Sequence, residues 1–183
     1  MDSLRGHFLV GSPHLSDPNF YHSVVLMVQH DEEGALGVIL NRPTTNTVAD
    51  IWRLIGHDES RCDRPIYLGG PVGGPIMAIH NQPQCSQIEV ADGVYFTTER
   101  EHLEEIVSDE ERPWLLFSGY SGWGAGQLER EMKVGGWLTL PAREEDVFYT
   151  GEDLWERLIK QIGQEIIAPA IRSAAVPPDP SMN

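Results

Sequence analysis

The chain is short of positive charge and of cysteine, and it has no long apolar run; each shortage removes a class of function. Lysine and arginine total 13 against 28 aspartates and glutamates, a formal net charge of −15 over 183 residues. Lys133 and Lys160 are the lysines, and the arginines stand singly instead of forming a stripe. Nucleic-acid binders neutralise phosphates with clustered cations, so direct contact with DNA or RNA is not expected. The same field opposes anionic membrane surfaces. Cys62 and Cys85 lie far apart and outside any Cys-x-x-Cys pair, the pattern of idle thiols in a reducing cytosol. No apolar run approaches a membrane span, and MDSLRGHFLVG lacks the apolar core of a signal peptide. The expectation is a soluble, cytoplasmic protein.

What is present is a globular pattern. An apolar fraction of 40%, spread along most of the length, suits a single domain over residues 1–172. From Ser173 to Asn183 the composition turns to Ala, Pro and Asp, with Pro177, Pro178 and Pro180 too close for helix or strand, so this tail is expected to be frayed.

Along the chain, His7 to Val10 reads as a strand, and VVLMVQH with LGVILN reads as an antiparallel hairpin around Asp31-Glu32-Glu33-Gly34. Register then returns Asn41 to the end where Ser23 and Val24 begin. Thr47 with Asp50 resembles a capping box ahead of the apolar face Val48, Ile51, Trp52 and Ile55, stopped by Gly56 and followed by a charged loop from His57 to Arg64. Ile66 to Leu68 and Ile76 to His80 read as strands flanking GGPVGGP, and Gln87–Val90 with Val94–Thr97 as a second hairpin around Asp92-Gly93. Helices are expected over Glu99 to Val107, over Gln127 to Lys133, and from Thr150, capped by Asp153, to Gly163; strands over Trp114 to Phe117 and Trp137 to Leu140. Hairpins break any strict βαβ alternation. The fold class is therefore α+β: a mixed, largely antiparallel sheet, free to curl toward a barrel, with three to five helices packed on it.

Two glycine-rich stretches invite a chemical reading. GYSGWGAGQ follows a strand and precedes a helix, the layout that aims backbone N–H groups at an anion. The P-loop spacing fails because Gln127 and Leu128 follow Gly126, and G-x-G-x-x-G is absent. A nucleophile elbow fails as well, since Ser121 has Gly119 before it but Trp123 after it. Glycines that permit a turn, with Tyr120 and Trp123 packing across it, are the favoured reading. YLGGPV, around Gly69 and Gly70, suits either an oxyanion-like nest or a close backbone crossover, and the crossover is favoured. Asn41-Arg42-Pro43 places a guanidinium just before a loop and a helix N-terminus, a candidate anion contact against the plainer expectation that Arg42 pairs with a carboxylate.

Seven histidines include no i, i+4 pair and no His-Glu-x-x-His, so neither metal nor cofactor is expected. His30 and His80 each end an apolar strand and read as hydrogen-bonded strand-end residues. Acidic runs such as Glu144-Glu145-Asp146 read as solvated faces.

Taken in order, GHFLVGSP…DPNF, SVVLMVQHDEEGALGVILNRP, YLGGPV and GYSGWGAGQLE resemble the AlgH/YqgE family from about Leu4 to Gly163. The chain departs from that pattern at His22, where arginine is common, and at Met77, where an aromatic is frequent. The resemblance implies a mixed α+β domain without assigned catalytic residues, in a family of which some members are labelled transcriptional regulators. With no nucleophile, base or metal set in view, two readings lead, and a third is a subunit whose function is only to dock on another protein, which exposed Trp52, Trp123 or Trp155 would favour. The first is a non-enzymatic binding or regulatory domain acting through a protein partner or a small ligand. The second is an enzyme or carrier holding a small anionic ligand at Asn41, Arg42, Gly69, Gly70, Gly122, Trp123, Gly124 and Gly126.

Overall fold

The computed structural model describes residues 2–54, 62–109 and 111–174. Ten strands form one sheet: β1 (His7–Gly11), β2 (Val24–Asp31), β3 (Gly34–Ile39), β4 (Pro43–Thr47), β5 (Pro65–Leu68), β6 (Val72–His80), β7 (Ile88–Ala91), β8 (Val94–Thr97), β9 (Trp114–Gly124) and β10 (Trp137–Pro141). Five helices are described: α1 (Val48–Leu54), α2 (Arg100–Ser108), α3 (Gln127–Lys133), α4 (Glu144–Val147) and α5 (Leu154–Ala174). Strand order is β10-β1-β2-β3-β9-β6-β8-β7, with β4 and β5 branching from β9. Pairing is antiparallel except between β5 and β9. The sheet curls into a half-barrel, and the class is the expected α+β.

Alternation along the strands sends side chains to both faces, and each face is covered. Phe8, Val10, Leu26, Val38, Phe96 and Phe117 fill one side with Leu154 and Leu158 of α5. On the opposite side, Trp114, Leu116 and Ala78 pack with Trp52 of α1 and Leu103 and Ile106 of α2. A third cluster, Leu9, Val25, Ile39, Trp123 and Trp137, takes Leu128 of α3.

The GYSGWG stretch is not a turn: it is the second half of β9. At Gly119, with φ +74°, β9 changes neighbours, since Phe117 and Ser118 pair with β5 whereas Ser121 to Gly124 pair with β3. β6 follows it on the other side, from His80 opposite Trp114 to Val72 opposite Tyr120. A polypeptide that switches partner in this way must pivot, and a positive φ supplies the pivot.

The Thr47 cap forms as expected, with the Asp50 N–H bonded to Thr47 Oγ1 at 3.2 Å and the Thr47 N–H to Asp50 Oδ2 at 2.9 Å. Other expectations need correction. Thr44, Thr45 and Asn46, read as loop, lie in the strand Pro43–Thr47, where Thr44 Oγ1 reaches the Ile66 carbonyl and the ends pair with β5. The last helix begins at Leu154, with Asp153 instead accepting the Tyr149 hydroxyl, and it runs through Gly163 to Ala174. Glu144-Glu145-Asp146 opens α4, and Asp146 is not a solvated face: its side chain is 4% exposed and bonded to Arg157 at 3.0 Å. Gly56, the His57–Arg64 loop as far as Arg61, and the tail from residue 175 lie outside the described residues.

Candidate functional site

On the one-turn helix spacing of α3, Gln127 and Glu131 share a face. Glu131 Oε2 accepts the indole N–H of Trp123 and of Trp137, each at 2.9 Å, while Gln127 Nε2 donates to its Oε1 at 3.0 Å. Gln127 Oε1 in turn accepts the Gly124 N–H at 3.1 Å. Trp123 stands on β9 and Trp137 on β10, with β1, β2 and β3 between them in the sheet, yet the curl brings their rings to 6.0 Å, edge to face. Phe20 completes the cluster, stacked on Trp123 at 5.9 Å and edge-on to Trp137 at 5.3 Å. Beside these rings is a groove of about 420 Å³, bordered by Leu15, Asp17, Pro71, Gly122 and Val134. Val134 is 84% exposed.

The expected site residues fall into separate places. Asn41 stitches the chain, its Oδ1 accepting from the Val24 N–H at 3.0 Å and its Nδ2 donating to the His22 carbonyl at 2.8 Å. Arg42 does not take the expected carboxylate: its guanidinium donates to the Tyr21 carbonyl. Gly69 gives its N–H to Ser118 O at 3.0 Å, and its carbonyl accepts from Ile39 N and Ser121 Oγ. A Cβ on Gly69 would lie 2.2 Å from Gly119 O, and one on Gly70 2.3 Å from the Tyr120 backbone. The two glycine-rich stretches therefore meet, backbone against backbone. Gly122 and Trp123 border or floor the groove, Gly124 is tied to Gln127, and Gly126, at φ +68°, starts α3.

Groups that resemble catalytic ones are engaged internally. His30 accepts the Leu4 N–H on Nδ1 at 2.9 Å and meets Glu129 Oε1 through Nε2 at 3.1 Å, so it pins the N-terminal segment to α3. His80 is the partial exception: it is fully buried and accepts the Gln82 N–H on Nδ1, its Nε2 has no partner among the described residues, and its pKa is lowered to about 4 by burial and then by His102. Burial, reinforced by Glu105, pushes the Cys85 thiol up to about 11, which keeps it unreactive. Among the described residues no group of three or more His, Cys, Asp or Glu is placed to hold a metal ion, and no helix is long and apolar enough to cross a membrane.

Comparison with known proteins resolves the family. The model of the AlgH-like family (DUF179) matches residues 8–167. The chain belongs to the AlgH-like family. A UPF0301 protein of Xanthomonas campestris pv. campestris (strain B100) is 40% identical over 171 residues, covering 89% of this chain and 91% of the relative. Among solved structures, the solution structure of the AlgH protein from Pseudomonas aeruginosa superposes with TM-score 0.75 at 31% identity, covering 97% of this chain and 96% of that one. The crystal structure of DIP2367 from Corynebacterium diphtheriae, at TM-score 0.68 and 23% identity over 88% of this chain and 87% of that one, shares the fold. Phe20, Glu131 and Trp137 line the candidate groove and are not among the residues that the sequence singles out. The i, i+4 spacing of Gln127 and Glu131 after Trp123 was the available signal; the position of Trp137, three strands away in the sheet, had none.

Proposed function

We propose that this AlgH-like chain is a non-enzymatic regulatory domain that docks a protein partner in the groove floored by Trp123 and Trp137 and does not contact DNA. The observation that carries this reading is the pinning of both indoles on one carboxylate. Each indole is 5% exposed, so the rings serve as a rigid floor and not as anchors: the recess is preformed and little freedom is lost on binding. The occupant is a segment with an apolar anchor flanked by lysine or arginine. Exposed Val134 and half-buried Phe20 offer the apolar contact, and Asp17 at the rim together with a net charge of −15 favours a basic partner. Engagement of Ser121 and His30 within the fold, and the high pKa of Cys85, support a role without turnover. The anionic-ligand reading has less support, because the N–H groups of Gly69 and Gly124 and the Arg42 guanidinium already have acceptors in the chain.

The test compares the wild type with Phe20→Asp and Val134→Asp as baits in a lysate of the bacterium that carries the protein. A partner held by the wild type and lost from both variants, while a surface control such as Glu145→Gln keeps it, is the expected result. Equal retention by all four overturns the groove as the docking site.

A further inference from the structure

Where β6 ends, three consecutive residues carry the buried side-chain polar atoms that have no hydrogen-bond partner among the described residues: His80 Nε2, Asn81 Oδ1 and Gln82 Nε2. Buried polar groups are nearly always paired, so a run of this kind marks a place that the chain alone does not complete. Asn81 is set apart from the other two, since its Nδ2 turns to Glu144 Oε1 of α4 at 3.1 Å. His80 and Gln82 are sealed from solvent, at 0% and 1% exposure.

The bonds that these two side chains do make fix what they have to offer. His80 Nδ1 accepts the Gln82 N–H at 3.2 Å, so in the neutral ring the proton sits on Nε2, which is a donor. Burial keeps the ring neutral. Gln82 Oε1 accepts from Gln84 Nε2 at 3.2 Å, so the free end of that amide is its NH2 group, a second donor. By alternation along β6, His80 lies on the face of Ile76 and Ala78, the face that packs with Cys85 and with Leu103 and Ile106 of α2. The polar groups of that layer are already engaged: Thr97 Oγ1 with Gln87 and His102, and Glu105 with Gln84.

Two donors exclude a cation as their partner. An anion is opposed by the Glu105 carboxylate, which lies 3.3 Å from Gln84 Nε2 and, after burial, pushes the Cys85 thiol pKa up. What remains is a neutral oxygen, and in a site closed to solvent the smallest is water, which inside proteins bridges buried polar groups that the chain leaves unpaired.

We infer that His80 Nε2–H and Gln82 Nε2–H donate to one buried water molecule, which ties the end of β6 to the short turn Pro83–Cys85 and so holds Cys85 beneath α2. The inference is independent of the docking proposal.

A crystal structure of the full chain, at a resolution that shows ordered waters, is expected to place one water within about 3.2 Å of both His80 Nε2 and Gln82 Nε2. NMR of the His80 ring nitrogens in the same chain is expected to show the Nε2–H tautomer, with magnetisation reaching that proton from a long-lived water. No water bridging the two, separate waters on each, a halide in its place, or the Nδ1–H tautomer overturns the inference. Gln82→Met removes one donor while keeping the length of the side chain, and amide exchange at residues 84–86 and in α2 is expected to quicken at least about tenfold. Unchanged exchange there overturns the tying role. If Gln82→Met does not fold, the crystal structure and the ring tautomer of the unaltered chain decide.

Discussion

Glu131 does for two tryptophans what a backbone carbonyl does for one. Removing its carboxylate in Glu131→Ala leaves two largely buried indole N–H groups without an acceptor, which costs about 1 to 3 kcal/mol in urea unfolding. Glu131→Gln keeps one carbonyl oxygen in reach, and the expected loss falls to about 1 kcal/mol or less. Equal losses in the two variants would mean that packing, not the shared acceptor, holds the rings. His80 supplies a second residue-scale test. Its folded pKa of about 4 lies below the ordinary value of 6.5, so between these limits the unfolded chain binds a proton that the folded chain refuses. Its contribution is fully present above about pH 6.5 and is lost as pH falls toward 4, up to about 3 kcal/mol. His80→Gln is expected to flatten the fall in stability across that window. Asp50 and Glu129, whose pKa values are lowered, add losses at lower pH and do not mask it.

Among the elements, β9 depends most on a single residue. At Gly119 a Cβ would sit 2.8 Å from Gly70 O and 2.9 Å from Val72 O, at φ +74°. Gly119→Ala is expected to destabilise by about 3 kcal/mol or to prevent soluble expression, whereas Gly73→Ala, with nothing within 4 Å, is near neutral. Comparable midpoints for the two in urea would show that β9 does not need its pivot. The same strand shows where sequence reasoning stopped. Val24–Asp31 with Gly34–Ile39, the Thr47 cap and Gln127–Lys133 were legible because each rests on local alternation, a cap or a helical spacing. Ser118 to Gly124 was not, because glycines in a strand follow from backbones crowding on both sides, here β5 and β3 on one and β6 on the other. β4 was hidden for a related reason: PTTNT carries no apolar alternation and is held by its bonds to β5. Of the residues around the candidate groove, Gly122 and Trp123 stand out in the sequence, whereas the convergence of Phe20 and Trp137 on them does not, since it follows from sheet curl.

For the whole molecule, the half-barrel buries its sheet under α1, α2, α3 and α5 and still leaves one aromatic floor beside an exposed Val134. A net charge of −15 adds a long-range bias toward basic partners, so association is expected to weaken as salt rises while the apolar anchor persists. The most direct measurement replaces Val134 with a photo-crosslinking phenylalanine analogue in the living bacterium and maps the attached residue by mass spectrometry, with the same analogue at Glu145 as control. The docking account predicts one dominant adduct specific to position 134, attached within a segment that pairs an apolar residue with lysines or arginines, and its loss when Phe20→Asp is added. No adduct specific to position 134, or one that survives Phe20→Asp, would contradict it.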